Sequence, residues 1–215
     1  FARFIEEKFS EVKILSGSEA TLDNLNAAVE DFRTREYVNI VSLLVYFAGP
    51  GATLDGKHWL AFSDSTDKSS MLTLEALHAM LSDVNAKNRI VILDSGFAGE
   101  GGRGAVLDGK SVAEFEETLA KSASVATVCS CGPDQSGHEF DEIKQGIFTW
   151  QLIEALKSSA DINGDAVVTA EEALTIVEWP VERYVRDNTV GQSQKPSLVC
   201  GQKAAQSVML KTNGK

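Results

Sequence analysis

Two stretches of the sequence place residues that can do chemistry directly after a run of mostly apolar residues. Val41 to Phe47 is followed by Ala48-Gly-Pro-Gly51, and Ile90 to Leu93 is followed by Asp94-Ser-Gly96. Runs with little polar alternation are typical of parallel strands that are buried on both faces. In open parallel sheets, sites form where such strands end. We therefore expect a site over the residues from Asp94 to Gly99, beside the glycine-rich end of the first run.

Both stretches resemble the signature of the caspase-like cysteine peptidases, which comprise caspases, metacaspases and bacterial relatives. In that family one strand leads into Tyr-Phe-Ser-Gly-His-Gly and another into Leu-Asp-Ser-Cys-Phe-Ser-Gly. Here the stretches read Tyr46-Phe-Ala-Gly-Pro-Gly51 and Leu93-Asp-Ser-Gly-Phe-Ala-Gly99. The family's histidine base therefore falls on Pro50, and its cysteine nucleophile falls on Gly96. These positions are 46 residues apart, close to the separation of about 50 expected for that pair.

The resemblance also implies which neighbouring residues shape the site. The backbone N–H groups of Gly51 and Gly96 fall where the family's oxyanion donors lie. Asp94 matches the acid with which metacaspases bind a basic P1 side chain, Ala48 replaces a serine of the same pocket, and Ser95 adjoins it. Losing nucleophile and base together costs on the order of 10⁶ in turnover. We therefore expect a catalytically inactive domain that regulates, scaffolds or binds peptides, with an active relative or a basic segment as its partner.

Relocated catalytic groups would instead make the chain an active peptidase. Ser95 would be one nucleophile, with His58 on the adjoining hairpin as its base, and Cys129 would be another. The G-x-G-x-x-G pattern at residues 99–104 also occurs in nucleotide-binding loops. That pattern is weak here because residues 107–110 separate it from the next helix, whereas a dinucleotide loop leads directly into one.

A possible calcium loop lies further along the chain. Oxygen-bearing side chains occupy positions 1, 3, 5, 9 and 12 of an EF-hand-type loop, namely Asp161, Asn163, Asp165, Thr169 and Glu172. Ala166 stands at position 6, where glycine normally permits the sharp turn. The alternative is an ordinary turn followed by a helix start, because Thr169 and Glu172 also form a capping-box pattern. We therefore expect no cofactor, with calcium binding as the alternative, which would make the domain a calcium-responsive structural module.

The net charge and the cysteine content limit which partners, which cellular location and which metal sites we expect. The net charge of −11 and the pI of about 4.8 disfavour binding to nucleic acids and to anionic membranes. No apolar stretch approaches the length of a membrane span. The three cysteines cannot all pair with one another, which favours buried reduced thiols and a cytoplasmic location. A zinc site of Cys129, Cys131 and His138 is an alternative with poor ligand spacing.

The resemblance implies a three-layer α/β fold, in which helices flank a mostly parallel sheet of about six strands. We expect Val12 to Leu15 to form a short strand of that sheet. The strand with which the family's fold begins has no counterpart ahead of it. An internal gap in a sheet would leave buried N–H and C=O groups unpaired, at a cost of ~1–3 kcal/mol each. We therefore expect further polypeptide, in the parent protein or in another chain, to fill the gap.

A single caspase-like domain is expected over residues 1–203, followed by a C-terminal tail or extra strand over residues 204–215. Apolar stripes and capping residues predict helices that begin near Thr21, Thr73 and Ala170. Further elements are expected as a hairpin turn at 55–56, a helix over 111–121, a strand over 125–131, a helix over 146–156 and a last strand that ends at Val199. The segments Gly146-Ile-Phe-Thr149 and Gln192 to Val199 also resemble segments of the family.

Overall fold

The structure, a computed structural model, describes residues 1–34, 40–54, 57–96, 124–132, 135–158, 160–199 and 202–212. The strands are β1 (Ile40–Ala48), β2 (Gly51–Leu54), β3 (Lys57–Leu60), β4 (Leu72–Thr73), β5 (Ala86–Asp94), β6 (Ala126–Cys129), β7 (Glu139–Phe140), β8 (Gln145–Gly146), β9 (Val167–Thr169), β10 (Ser197–Val199) and β11 (Val208–Lys211). The α-helices are α1 (Ala2–Glu6), α2 (Leu22–Thr34), α3 (Leu74–Ser82), α4 (Ile147–Ser158), α5 (Ala170–Asn188) and α6 (Gln202–Ala205). The predicted turn at 55–56, the glycine-rich pattern at 99–104 and the helix over 111–121 lie outside the described residues.

A mixed, mainly parallel sheet forms the centre of the fold, in the order β1-β5-β6-β10. The strands β1, β5 and β6 run parallel, and β10 is antiparallel to β6. Four strands are thus present in the described part of the chain, where about six were expected. The predicted strand at Val12 to Leu15 is wrong, since these residues form neither helix nor strand. A strand needs a neighbour to hydrogen-bond with, and β1 pairs with β5 alone among the described strands.

Helices cover both faces of this sheet, which gives the expected three layers. Ile90 and Ile92 of β5 face a core that includes α1, α4 and α5. Val91 and Leu93 face a second core, built with α2 and α3. All four side chains are fully buried, as expected for a strand with an apolar run and helices on both sides. The α/β fold class is therefore confirmed.

Local signals in the sequence account for where several helices begin. The Thr73 hydroxyl accepts a hydrogen bond from the N–H of Ala76 at the start of α3. Thr169 and Glu172 form a reciprocal capping box at the start of α5, as the pattern predicts. Near the C-terminus, β11 pairs antiparallel with β9, directly ahead of α5. Across the described residues, none of the helices is both long and apolar enough to cross a membrane.

Candidate functional site

The ends of β1 and β5 lie side by side. Ala48 is the register partner of Asp94, and the N–H of Gly49 donates to the carbonyl oxygen of Asp94 at 3.4 Å. Parallel pairing of two apolar strands therefore brings the residues that follow Ala48 and the residues Ser95 and Gly96 to one edge of the sheet. Pro50 lies two residues after Ala48, and Gly96 lies two residues after Asp94. Because Ala48 and Asp94 are register partners, the predicted positions of the base and the nucleophile lie at the same edge of the sheet.

Gly96 packs against the main chain of another segment. A Cβ atom built on Gly96 would lie 2.9 Å from the nitrogen of Gly137 and 3.2 Å from the Cα of Ser136. A distance below 3.0 Å is essentially never seen for a real Cβ atom, and main-chain atoms cannot move away as the end of a flexible side chain can. The space that a side chain at position 96 would enter is therefore occupied by residues 136–137.

Two glutamine side chains hold the ends of this 135–138 segment. The Oε1 atom of Gln194 accepts from the N–H of His138 at 2.8 Å, and its Nε2 donates to the carbonyl of Ser130 at 2.8 Å. Gln194 is fully buried, so both bonds form away from solvent. The Oε1 atom of Gln135 accepts from the N–H groups of Gly132 and Lys195, at 3.1 and 2.8 Å. The segment against Gly96 is thus fixed by hydrogen bonds at both ends.

The Asp94 carboxylate is half-buried and takes part in a polar network. The Thr149 hydroxyl donates to its Oδ2 atom at 2.5 Å, and the Tyr46 hydroxyl lies 2.8 Å from the same Thr149 oxygen. Because Thr149 uses its proton on Asp94, Tyr46 is the donor to Thr149. The main chain of Gly146 also packs closely on this carboxylate, since a Cβ atom there would lie 2.6 Å from Oδ2.

Pro50 and Gly51 lead from β1 into the hairpin formed by β2 and β3. The carbonyl of Pro50 accepts from the N–H of Ala61 at 3.0 Å, and the buried Gly51 pairs with Leu60. Neither residue has a side chain that can exchange a proton. The backbone N–H of Gly51 stays a predicted oxyanion donor, as does that of Gly96.

The structure does not favour the relocated nucleophiles. Ser95 is 2% exposed, and no hydrogen-bond partner for its Oγ lies within the described residues. His58 is buried in β3, where burial lowers its pKa to about 4, and no hydrogen bond between described residues joins it to Ser95. Burial, together with the neighbouring Cys131, raises the pKa of Cys129 to about 12. The Cys129 thiol is therefore protonated at neutral pH, whereas attack requires the thiolate.

Four of the five predicted calcium ligands lie between α4 and α5, and Glu172 lies in the first turn of α5. All five accept hydrogen bonds from nearby residues of this region. Asp161 accepts from the N–H groups of residues 164, 165 and 166 at 2.8 to 3.1 Å. The Oε2 atom of Glu172 accepts from both the N–H and the hydroxyl of Thr169, and its Oε1 from the N–H of Ile162. Asp165 accepts from the N–H of Val167 and from the side-chain amide of Asn163.

The backbone of this loop turns where an EF-hand-type loop would turn. Ala166, at position 6, has a φ of 67°, which is the left-handed conformation that glycine adopts most readily. However, no group of three or more His, Cys, Asp or Glu side chains in the described ranges is arranged to hold a metal ion. Calcium binding stays a prediction.

Sequence reasoning missed several residues that shape the site. Thr149 lies in a segment that the resemblance to the family located, but the bond from its hydroxyl to Asp94 was not expected. The polar sequence around Ser136 and Gly137 gave no sign that these two residues would reach Gly96. A buried glutamine such as Gln194 has to satisfy both ends of its amide, but its burial cannot be deduced from the polar sequence around it.

A scan against protein-family models gives a match to the caspase domain over residues 2–205. This chain belongs to the caspase domain family. The match covers the ends of β1 and β5, the segment at 135–138 and the helices α1 to α5, so the site described above is part of the caspase domain.

Solved structures with the same fold include the crystal structure of protein GSU0716 from Geobacter sulfurreducens. It is 16% identical to this chain, with a TM-score of 0.62 over 95% of this chain and 84% of that one. At this identity the likeness concerns the fold alone. No curated protein matches the sequence significantly.

Proposed function

We propose that this caspase domain binds polypeptide without cutting it, and so regulates or scaffolds a larger protein or complex. The environment of Gly96 carries the proposal. Position 96, which the resemblance assigns to the nucleophile, has no thiol, and main-chain atoms of Ser136 and Gly137 lie where its side chain would stand. Position 50, assigned to the base, is proline. Thiolate attack and proton transfer need a thiol and a basic group at these positions.

A basic segment is the partner that Asp94 supports. Asp94 is a half-buried acid at the end of β5, and its Oδ2 atom accepts from the Thr149 hydroxyl. An arginine or lysine side chain that reaches the edge of the sheet would form a charge-assisted hydrogen bond with the same group. The net charge of −11 favours the approach of a cationic peptide. Such a segment could belong to an active relative of this domain.

Calorimetry on the intact protein tests the proposal. A peptide with a central arginine is titrated into the protein and into the Asp94→Asn variant, at low and at moderate salt. We expect saturable binding to the unaltered protein, and binding at least about tenfold weaker in the variant, because it loses a charge-assisted contact. Replacing the arginine of the peptide by glutamine should have a similar effect.

Two comparisons separate a groove at Asp94 from general charge attraction. Asp141, an exposed acid in the loop between β7 and β8, provides the control variant Asp141→Asn, which should bind like the unaltered protein. Recovered peptide is analysed by mass spectrometry and should be intact. Equal weakening by both variants would refute the groove, and a cleaved peptide would refute an inactive domain.

A further inference from the structure

The loop between α4 and α5 contains an asparagine that is followed directly by a glycine, Asn163-Gly164. Both residues are exposed. The backbone nitrogen that follows an asparagine can attack its side-chain amide carbon, Cγ, and close a small ring, a succinimide. A side chain on the following residue would crowd that attack, and glycine has none. Apart from its own neighbours in the chain, a Cβ atom built on Gly164 would meet nothing within 4 Å, so the space around this position is open.

Asp165 holds the side-chain amide of Asn163 in place. The Oδ1 atom of Asn163 accepts from the backbone N–H of Asp165 at 2.9 Å, and its Nδ2 donates to the Asp165 carboxylate at 3.1 Å. These bonds fold the side chain back over the main chain that follows it. The bond to Oδ1 polarises the amide carbonyl, and it would stabilise the negative charge that forms on Oδ1 when Cγ is attacked. The leaving nitrogen lies beside a carboxylate.

A second carboxylate contacts the attacking nitrogen. The N–H of Gly164 donates to the Oδ1 atom of Asp161 at 2.8 Å, so this carboxylate can accept the proton as the nitrogen attacks. Asp161 is itself held in place. Its Oδ1 also accepts from the N–H of Asp165 at 3.1 Å, and its Oδ2 accepts from the N–H of Ala166 and from the Thr212 hydroxyl at 3.0 and 3.1 Å.

We propose that Asn163 is a self-modification site, at which the folded loop converts the asparagine into aspartate and isoaspartate through a succinimide. The nitrogen of Gly164 forms a bond to Cγ of Asn163, and its proton passes to Asp161. The bond from Cγ to Nδ2 then breaks, and the same proton leaves with this nitrogen as ammonia. Water adds to either carbonyl carbon of the succinimide and opens the ring. Because the loop holds the reacting groups in place beforehand, ring closure loses less entropy than in a flexible chain.

The modification would change the loop in two ways. A carboxylate at position 163 cannot donate to Asp165, so the hydrogen bond between the two side chains is replaced by repulsion between like charges. In isoaspartate the main chain runs through the side chain and is longer by a carbon, so the N–H groups of Gly164 and Asp165 no longer reach Asp161 in the same register. Both products therefore destabilise the loop. The inference does not depend on the function proposed above.

Peptide mapping of stored protein tests the proposal. The intact protein is stored at neutral pH with a chelator, either folded or unfolded in guanidinium chloride, and is then digested. Mass spectrometry gives the fraction of Asn163 that has been converted, and fragmentation of the N–Cα bond distinguishes isoaspartate from aspartate. We expect both products at Asn163 in the folded protein, formed at least about threefold faster than in the unfolded chain. Asn188, exposed at the end of α5 and followed by threonine, should stay unmodified in the folded protein.

Variants of the protein provide the second arm. Asp161→Asn keeps an oxygen that accepts from the N–H of Gly164, but an amide cannot take the proton as a carboxylate can. In the folded protein it should slow the conversion of Asn163 about tenfold, whereas in the unfolded chain both proteins should react at the same rate. A melting curve checks that the variant is folded. Asp141→Asn, a change of an exposed acid between β7 and β8, is the control and should leave the folded rate unchanged.

Three results would overturn the proposal. One is slower conversion of Asn163 in the folded protein than in the unfolded chain, which would show that the loop protects the asparagine. Another is aspartate without isoaspartate, because direct attack of water on the amide gives aspartate alone. The third is an equal rate in the folded unaltered protein and in folded Asp161→Asn, which would remove Asp161 as the proton acceptor.

Discussion

At the scale of single residues, the absence of a side chain at Gly96 allows the segment at Ser136 and Gly137 to approach the end of β5. We expect Gly96→Ala to lower the free energy of unfolding by about 1–3 kcal/mol, the usual cost of overpacking, because its Cβ would lie 2.9 Å from a main-chain nitrogen. Urea denaturation measures the change. Gly137→Ala is the matched control, since its Cβ would meet its neighbours at 3.7 and 3.8 Å, which is ordinary contact.

The control should lose little stability, less than about 1 kcal/mol. If Gly96→Ala were neutral and Gly137→Ala strongly destabilising, the description of the packing around position 96 would be incorrect. Gly96→Cys should show the same loss as Gly96→Ala and should gain no peptidase activity, because position 50 still lacks a base.

Two buried histidines predict how stability depends on pH. Burial lowers the pKa of His58 and of His78 to about 4 in the folded protein, whereas an unfolded histidine titrates near 6.5. Between these values the unfolded chain binds more protons than the folded one. Above about pH 6.5 the free energy of unfolding is therefore at its full value with respect to these two groups. As the pH falls toward 4, it decreases by on the order of 2–3 kcal/mol for each histidine.

The variants His58→Gln and His78→Gln isolate these contributions from those of the carboxylates, which also titrate in acid. Each variant should show a shallower loss of unfolding free energy between pH 6.5 and 4 than the unaltered protein. The hydrogen bond of 2.7 Å between His78 and the Thr127 hydroxyl can be kept in part by glutamine. Parallel pH profiles of variant and unaltered protein would contradict the assignment.

At the scale of single elements, the loop between α4 and α5 contains a strained alanine. Ala166 has a φ of 67°, a conformation that costs an L-residue roughly 1–2 kcal/mol and costs glycine almost nothing. Glycine also gains entropy in the unfolded chain, which offsets part of the benefit. We expect Ala166→Gly to raise the free energy of unfolding by up to about 1 kcal/mol.

An alanine in an ordinary helical position provides the control for this prediction. Ala27 lies exposed within α2, and Ala27→Gly should lower stability by about 1 kcal/mol. Urea denaturation measures the change in the free energy of unfolding for both variants. A gain for Ala166→Gly and a loss for Ala27→Gly would support the left-handed turn at Ala166. A loss of stability in both variants would contradict it.

Calcium binding by the same loop is tested by thermal denaturation with and without the ion. If Asp161, Asn163, Asp165, Thr169 and Glu172 bind calcium, millimolar calcium should raise the melting temperature of the intact protein by mass action, and Asp161→Asn should reduce the shift. Magnesium at the same concentration serves as the control. An unchanged melting temperature, with no heat of binding in calorimetry, would leave the loop with a purely structural role.

At the scale of the whole molecule, the sequence predicts the sheet centre and the helix starts well because their signals are local. The apolar runs before Asp94 and before Ala48 become paired parallel strands, and Thr73 and Thr169 cap helices as expected. The residues that make up each of these signals, an apolar run for a buried strand or a capping residue for a helix start, lie within a few positions of one another in the sequence.

Features that depend on long-range contacts could not be predicted in this way. The strand expected at Val12 to Leu15 is absent, because strand formation depends on a partner that sequence periodicity does not reveal. The approach of Gly137 to Gly96 and the bond from Thr149 to Asp94 join residues 41 and 55 positions apart. Motif resemblance located Gly96, Asp94 and the segment that contains Thr149, but it did not indicate that these residues contact their partners. Gly137 lies in a polar stretch that matches none of the motifs.

The most direct test of the whole account is a mass-spectrometric cleavage assay on the intact protein. A peptide library with Arg, Lys or Asp at P1 is incubated with the protein, with and without millimolar calcium, beside a cysteine-directed activity probe. We expect every peptide to stay intact and the probe to label no residue at the site. Peptides with basic residues should be retained by the protein but not by its Asp94→Asn variant. Specific cleavage that is lost on changing Ser95 or Cys129 would show that this caspase domain is an active peptidase with relocated chemistry.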